Sequence, residues 1–340
     1  MLTDPRYSLV IPLFNEEAVM AHLFAALDSV MAQMDAPAEA VLVDDGSRDN
    51  TASIAAEKCR GDARYRLIRL SRNFGQQAAM TAGMDHTRGD AVIVMDGDLQ
   101  DPPEVALAMI AKWREGFDVV YAQRTHREAD SRFKRATARL FYKVISALAD
   151  VEIPPDTGDF RLVDRAVLDA FRRMNERDRW VRGMFAWLGF RQTVVQFRRP
   201  ARAAGETKYS IGKLIALALS GIIGFSDAPL RFVLWAGASI SGLAMLYGTY
   251  AIAMWFARSY VFPGWTSTVV VTAFLAGINM LMTGMVGLYV GRIYKEVKGR
   301  PLYFVRETEG FSQAPAQQEP FAPLARLRES FGSEDRRQRA

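Results

Sequence analysis

One cysteine and three histidines stand among the 340 residues. The lone Cys59 excludes an internal disulfide and fits a reducing compartment. His22, His86 and His126 show no metal-ligand spacing and receive no role. No Gly-x-Gly-x-x-Gly follows the first apolar strand, which speaks against a dinucleotide-binding fingerprint. The amino terminus lacks a charged start followed by a long apolar stretch, so no cleavable signal peptide is expected. Charge is missing altogether from two stretches, the 26 residues Phe232 to Ala257 and the 33 residues Ser259 to Gly291. Each exceeds the roughly 20 apolar residues that cross a bilayer, so two transmembrane helices are expected rather than a buried hairpin of a soluble protein. Gly237, Gly242, Gly248, Gly277, Gly284 and Gly287 would let those helices approach closely.

What charge there is gives an orientation. Arg198, Arg199, Arg202, Lys208, Lys213 and Arg231 precede the first apolar stretch, and Arg292, Lys295, Lys298 and Arg300 follow the second. The loop around Pro263-Gly264 offers only Arg258, so by the basic-inside rule both ends of the chain are expected in the cytoplasm. The net charge of +5 is modest. With membrane spans present, anionic lipid is the expected partner and nucleic acid is not.

Ahead of the spans, strand and helix patterns alternate. Apolar strands are expected at Tyr7 to Pro12, Ala40 to Val43, Arg66 to Leu70, Ala91 to Met95 and Asp118 to Tyr121. Helices follow from about Ala18 to Met31, from Thr51, through Met84, and from Asp101-Pro102-Pro103-Glu104, where proline suits a first turn. Alternation of this kind predicts an α/β fold with a mostly parallel sheet covered on both faces. Ligands of such sheets bind beyond the carboxyl ends of the strands, and every polar cluster falls at such an end.

The fourth strand ends in Asp96-Gly97-Asp98-Leu99-Gln100. Two carboxylates one residue apart, with the Gln100 carbonyl, make a hard-oxygen site suited to Mg²⁺ or Mn²⁺ with positions left for a diphosphate. A polar turn is the bland alternative, since Asp and Gly are ordinary turn residues. Asp44 and Asp45, ending the second strand, can accept hydrogen bonds from a base N–H and a ribose hydroxyl. From Phe133 the pattern becomes a basic amphipathic helix, either lying in the membrane interface or packed on the domain, and Ile211 to Phe225 makes a similar stripe beside the first span. Residues after about 306 are rich in Pro, Gln, Glu and Arg and are expected to be disordered.

Together, Val10-Ile11-Pro12-Leu13-Phe14-Asn15-Glu16-Glu17, Val43-Asp44-Asp45-Gly46-Ser47, Ser71-Arg72-Asn73-Phe74-Gly75, Met95-Asp96-Gly97-Asp98-Leu99-Gln100-Asp101-Pro102-Pro103 and Ala204-Gly205-Glu206-Thr207-Lys208-Tyr209-Ser210 resemble family 2 glycosyltransferases. More narrowly they look like the polyisoprenyl-phosphate glycosyltransferases, among them bactoprenol glucosyltransferases and dolichol-phosphate mannose synthases. The likeness runs from about Tyr7 to Pro301. It implies a GT-A fold, a nucleotide-sugar donor, a divalent metal, a polyprenyl-phosphate acceptor and a homotetramer. Carried over by motif, Pro12, Phe14, Glu16, Asp44 and Asp45 would hold the base and ribose, and Asp96, Asp98 and Gln100 the metal. Arg124 would meet a phosphate, Arg202 and Lys208 would sit on a loop closing over the site, and Asp159 matches an acidic position near the acceptor. Glu176-Arg177-Asp178-Arg179-Trp180 is similar to the Gln-x-x-Arg-Trp element of processive synthases, but Glu stands in place of Gln and two spans give little material for a polymer channel.

The expected organisation is a catalytic domain over 1–200, an active-site loop and juxtamembrane helix over 201–230, a membrane hairpin over 231–292 and a cytoplasmic tail over 293–340. The expected reaction transfers a hexose, glucose from UDP first, to undecaprenyl or another polyprenyl phosphate with inversion. Asp98, Asp159 and Arg124 are the expected catalytic residues. Asp159 is expected to orient a basic residue or touch the donor sugar, because a phosphate nucleophile is largely ionised near neutral pH and needs no base. A non-catalytic nucleotide-sugar-binding membrane module is the alternative.

Overall fold

The structure is a computed structural model that describes residues 4–125, 157–177, 179–197, 228–258 and 264–311. These fall into two units, one built from 4–125, 157–197 and 299–311, the other from the helices within 228–298. The expected helices at Phe133 to Ala149 and Ile211 to Phe225 lie outside the described residues, as do Arg202 and Lys208.

The first unit is a sheet of eight strands: β1 (Tyr7–Leu13), β2 (Ala38–Asp44), β3 (Tyr65–Leu70), β4 (Ala91–Val94), β5 (Val119–Arg124), β6 (Thr157–Asp164), β7 (Gln192–Phe197) and β8 (Val305–Glu309). Their order is β7-β5-β6-β4-β1-β2-β3-β8. Strands β1 to β4 run parallel, and β5 pairs in parallel with β7. Strand β6 lies antiparallel between β4 and β5, and β8 lies antiparallel on β3. The sheet is therefore mostly parallel, as the pattern implied, with two reversed strands that the pattern did not reveal.

Central strands buried on both faces must be apolar nearly throughout. Strand β1 obeys this, with Leu9, Val10 and Ile11 wholly buried. Helices α1 (Met20–Gln33), α2 (Thr51–Gly61), α3 (Gln76–Asp85) and α4 (Val105–Arg114) connect the parallel strands. On α1 the buried side chains are Met20, Leu23, Leu27, Val30 and Met31, the spacing of one helical face. Burying each such side chain contributes about 1.5–3 kcal/mol, so this stripe fixes α1 on the sheet. After β6 come α5 (Arg165–Arg172), capped by Asp164 through the Ala166 amide, and α6 (Val181–Trp187).

The second unit holds α7 (Ala228–Arg258) and α8 (Trp265–Val297). Each contains a segment long and apolar enough to cross a membrane, Leu230–Tyr250 and Val270–Val297, and neither segment is buried in the protein. A side chain added at Gly237 would begin 2.9 Å from Met282 Cε, so a glycine does permit close approach of the two helices there.

One expectation needs correction. Order does not end near 306: β8 runs from Val305 to Glu309. Glu307, Thr308 and Glu309 find ladder partners on β3, and a composition reading cannot see a pairing with residues some 240 positions earlier.

Cys59 lies buried on α2, and burial, with the nearby Glu309 charge, pushes its thiol up to about 12. Only the thiolate is reactive, so labelling by a thiol reagent at pH 8 should be at least ~100-fold slower in the folded protein than in guanidinium. Rapid labelling of the folded chain would contradict this placement.

Candidate active site

The parallel strands deliver their carboxyl ends to one region. Past β1, Asn15 adopts a left-handed backbone at φ 55°. Its amide donates to Ser47 Oγ at 3.0 Å, while its Oδ1 accepts the Arg48 amide at 2.8 Å. The Glu16 amide donates to Thr51 Oγ1 at 2.8 Å. The segments after β1 and β2 are thus joined by polar bonds that any slippage would break. Phe14 is exposed, and Pro12 is half-buried in β1. The Glu16 carboxyl is raised by burial and by the charges of Asp98 and Asp49, so the end of β1 faces the acidic turn after β4.

Asp44 is wholly buried and accepts the Ser47 amide at 3.1 Å, while Arg69 Nε stands 3.6 Å from its other oxygen. Asp45 has a structural task besides the one the motif suggests. Both its oxygens accept backbone amides of the loop after β3, from Phe74 at 2.7 Å and Gly75 at 2.9 Å. It holds that loop in place, and burial still raises its carboxyl despite these bonds.

Asp96 and Asp98 follow β4 directly. Asp96 Oδ1 accepts from Gln76 Nε2 at 2.7 Å, and Asp98 Oδ1 accepts the Gln100 amide at 3.1 Å. The intervening Leu99 sits at φ 54°, a conformation costing a leucine on the order of 1 kcal/mol. Strain of this kind fits a turn shaped for a purpose. Burial, then the charges of Asp159, Asp98 and Asp101, lift the Asp96 carboxyl to about 6. Four acids crowding together are an anionic donor set that a hard cation would relieve. Among the described residues no three such side chains converge closely enough to hold an ion unaided. Two carboxylates completed by substrate oxygens suit Mg²⁺ or Mn²⁺ in that case, since these ions commonly bind through one or two carboxylates plus phosphates.

Strand β6 explains how Asp159 joins this group. Val94 pairs with Arg161 across the antiparallel β4–β6 ladder. Continuing that register two residues sets Asp159 opposite Asp96. Asp159 is buried and takes Arg182 in a two-pronged bond, Nε to Oδ1 at 2.8 Å and Nη2 to Oδ2 at 3.1 Å. Arg161, buried between the rings of Tyr121 and Phe185, adds Nη2 to Oδ1 at 3.1 Å. Burial acts to raise the Asp159 carboxyl, but Arg182, with Arg161 and Arg124, outweighs it and holds the group below the usual range. A carboxylate so held is an orienter of arginines and a poor proton acceptor. Arg124, ending β5, is itself paired with buried Asp101 at 3.1 Å.

The structure therefore brings together Asp96, Asp98, Asp159 and Arg124, and it sets Asp44 and Asp45 at the neighbouring strand end. Sequence reasoning missed Gln76, Asp101, Arg161 and Arg182 as members. Asp101 lies inside the Met95–Pro103 motif and Arg161 two residues past Asp159, whereas Gln76 and Arg182 belong to no spacing rule.

Residues 8–172 match the family described as Glycosyl transferase family 2. The uncharacterized glycosyltransferase YkcC of Bacillus subtilis is 45% identical over 305 residues, covering 90% of this chain and 94% of that protein. The chain belongs to glycosyltransferase family 2. A prophage bactoprenol glucosyl transferase homolog of Escherichia coli is 38% identical over 89% of this chain and 99% of its own length. The SfII prophage-derived bactoprenol glucosyl transferase of Shigella flexneri is also 38% identical, over 89% of this chain and 98% of its own length. Among solved structures, a mannosyltransferase of Pyrobaculum calidifontis in complex with GDP-Man and Mn²⁺ is 19% identical over 88% of this chain and 89% of its own, with a TM-score of 0.43. The glycosyltransferase has the GT-A arrangement of its family, a mostly parallel sheet with Asp-x-Asp after β4.

Two outcomes follow from this geometry. A raised Asp96 carboxyl opposes folding above about pH 6 and ceases to do so as pH falls from there to the usual carboxylate range. In chelator at pH 7.5, Asp96→Asn should raise the melting temperature by a few degrees (about 1 kcal/mol), a gain that shrinks at pH 5; equal effects at both pH values would contradict the crowding. Arg182→Gln should cut turnover at least ~10-fold, and Asp159→Asn added to it should cost little more. Independent, multiplying losses would deny that the two act as a unit.

Proposed function

We propose that this glycosyltransferase moves a hexose, glucose from UDP in the first instance, from a nucleotide sugar to a polyprenyl phosphate at the cytoplasmic face of the inner membrane. What carries the reading is one combination within a single chain: a crowded acid site faced by Arg124 and Arg182, and two apolar helices of 31 and 33 residues. The names of the Escherichia coli and Shigella relatives point the same way. An acceptor confined to a bilayer requires an enzyme that stays there, and the basic residues flanking the helices favour a cytoplasmic catalytic domain.

In this reading Asp96 and Asp98, with Gln100, hold Mg²⁺ or Mn²⁺, which when bound neutralises the diphosphate leaving group. Pro12, Phe14, Glu16, Asp44 and Asp45 form the base and ribose end. An oxygen of the lipid phosphate attacks the anomeric carbon in line as the bond to the nucleoside diphosphate breaks, inverting that centre. The phosphate is largely ionised already, so the protein's work is placement and charge balance. Arg124, joined by Arg202 and Lys208, brings two anions together, and the planar guanidinium fork suits phosphate oxygens. Asp159 keeps Arg182 and Arg161 aligned instead of taking a proton.

Purified enzyme in detergent with Mg²⁺, undecaprenyl phosphate and a panel of radiolabelled UDP- and GDP-sugars should yield one labelled lipid, with UDP-glucose leading. Chelator should abolish the product, and Asp98→Ala should reduce it by at least ~100-fold. Label passing to a sugar or protein acceptor but not to the lipid phosphate would overturn the assignment.

A further inference from the structure

The chain leaving α8 returns to the first unit as a strap. Gly299 O accepts from Arg177 Nη2 at 3.1 Å, and Tyr303 Oη donates to Asp85 Oδ2 at 2.8 Å. Strand β8 then lies on β3, while Tyr303, Val305 and Phe311 pack against the cluster of Val41, Val43, Ile68 and Leu70.

Two separate lines run from this strap to Asp44 and Asp45. Along the first, the Ser71 amide donates to Phe304 O at 2.9 Å, and the Phe304 ring lies 6.3 Å from that of Phe74 at a tilt of 50°. The Phe74 and Gly75 amides then grip Asp45. Along the second, Glu307 Oε2 accepts from Arg69 Nη1 at 3.3 Å, and Arg69 Nε stands 3.6 Å from Asp44 Oδ2, a buried oxygen with no hydrogen bond. The two loops also touch backbone to backbone. Gly46 has φ 72°, and a Cβ there would lie 2.6 Å from the Arg72 carbonyl carbon. The segment 71–75 cannot shift without disturbing 44–47.

We infer that Phe304 and Glu307 are positioning residues for the nucleotide end of the donor site, acting through the 71–75 loop on Asp45 and through Arg69 on Asp44. This rests on the proposed role of those two aspartates at the base and ribose. Both strap side chains are largely exposed, so truncating them opens no cavity in the core. Their influence would be on the shape of the donor pocket rather than on stability. The segment immediately after the second apolar helix thereby becomes part of the frame of the donor site.

Equilibrium binding of UDP and of GDP to the full-length protein in detergent tests this, using whichever nucleotide binds more tightly. Phe304→Ala and Glu307→Gln should each weaken it about fivefold, the size of one misplaced hydrogen bond. Melting temperatures should stay within about 2 °C, and turnover at saturating donor within about twofold. Arg60→Ala, which removes the exposed Glu309 pair on the same strap, should leave nucleotide affinity unaltered. If Asp45→Asn weakens binding while the two strap variants bind like the parent, the strap inference falls alone. If Asp45→Asn also leaves affinity unchanged, the nucleotide-end assignment fails and this inference with it.

Discussion

Crowded negative charge at the carboxyl ends of β1 and β4 and the start of β6 is the condition around which the catalytic unit is arranged. Asp98 stands near enough to Glu16 and Asp96 for its charge to raise both, and Asp159 and Asp101 add to the lift on Asp96. Acids in such a place would ordinarily neutralise themselves by taking protons. The protein resolves the conflict unevenly. Asp159 takes Arg182 and Arg161 and is held below the usual carboxylate range, and Asp101 is paired with Arg124, whereas Asp96 accepts from the neutral Gln76 amide and rises to about 6. The resulting asymmetry separates acids that hold arginines from acids left to hold something else. A cation and a diphosphate are the chemistry that this second group suits.

Strand β6 is the device that makes the asymmetry. A purely parallel sheet would put at its carboxyl edge only residues arriving from strand ends. A reversed strand between β4 and β5 lets a strand start, Thr157-Gly158-Asp159, reach the same edge. Arg161 then lies in the ladder itself, fully buried between two aromatic rings, where it can reach Asp159 from below. Burial of an arginine is costly unless it is paired, so Arg161 and Asp159 depend on each other. Arg182 completes the pair from α6, the helix after the Glu176–Trp180 segment. That segment, a polymer-synthase motif in outline, serves here as structure: Arg177 binds the Gly299 carbonyl and Arg179 the Met174 carbonyl.

The legible part of this molecule was whatever depends on neighbours in sequence. The first five strands, their helices and the two charge-free stretches follow from apolar periodicity and length, and their observed bounds differ by a few residues. The Asp-x-Asp turn was legible because a strand end dictates where both acids point. What stayed hidden depends on pairing at a distance. Strand β6 reads as a motif with an acid, and nothing local reveals that it runs backward. Strand β8 carries Arg306, Glu307 and Glu309, which give a disorder-like composition, yet as an edge strand it needs only backbone bonds and leaves Arg306 and Glu307 facing water. Arg182 was invisible for a similar reason, since one arginine near a helix start has no signature until its carboxylate partner is placed.

The structural role of Asp45 bears on how a motif should be interpreted. Adjacent aspartates at a strand end invite the view that both face the ligand, but successive residues of an extended chain point to opposite sides. Asp44, last in β2, turns toward Arg69, and Asp45 toward the amides of Phe74 and Gly75. Each carboxylate oxygen has two lone-pair directions, so accepting one amide does not exclude a further donor from a base or ribose. The two roles reinforce each other. A carboxylate already fixed by two amides has lost its rotational freedom before any ligand arrives, which lowers the ordering cost of binding. The loop it grips is in turn backed by the strap, so the rigidity of this strand end is assembled from three segments that are far apart in sequence and meet at this edge of the sheet.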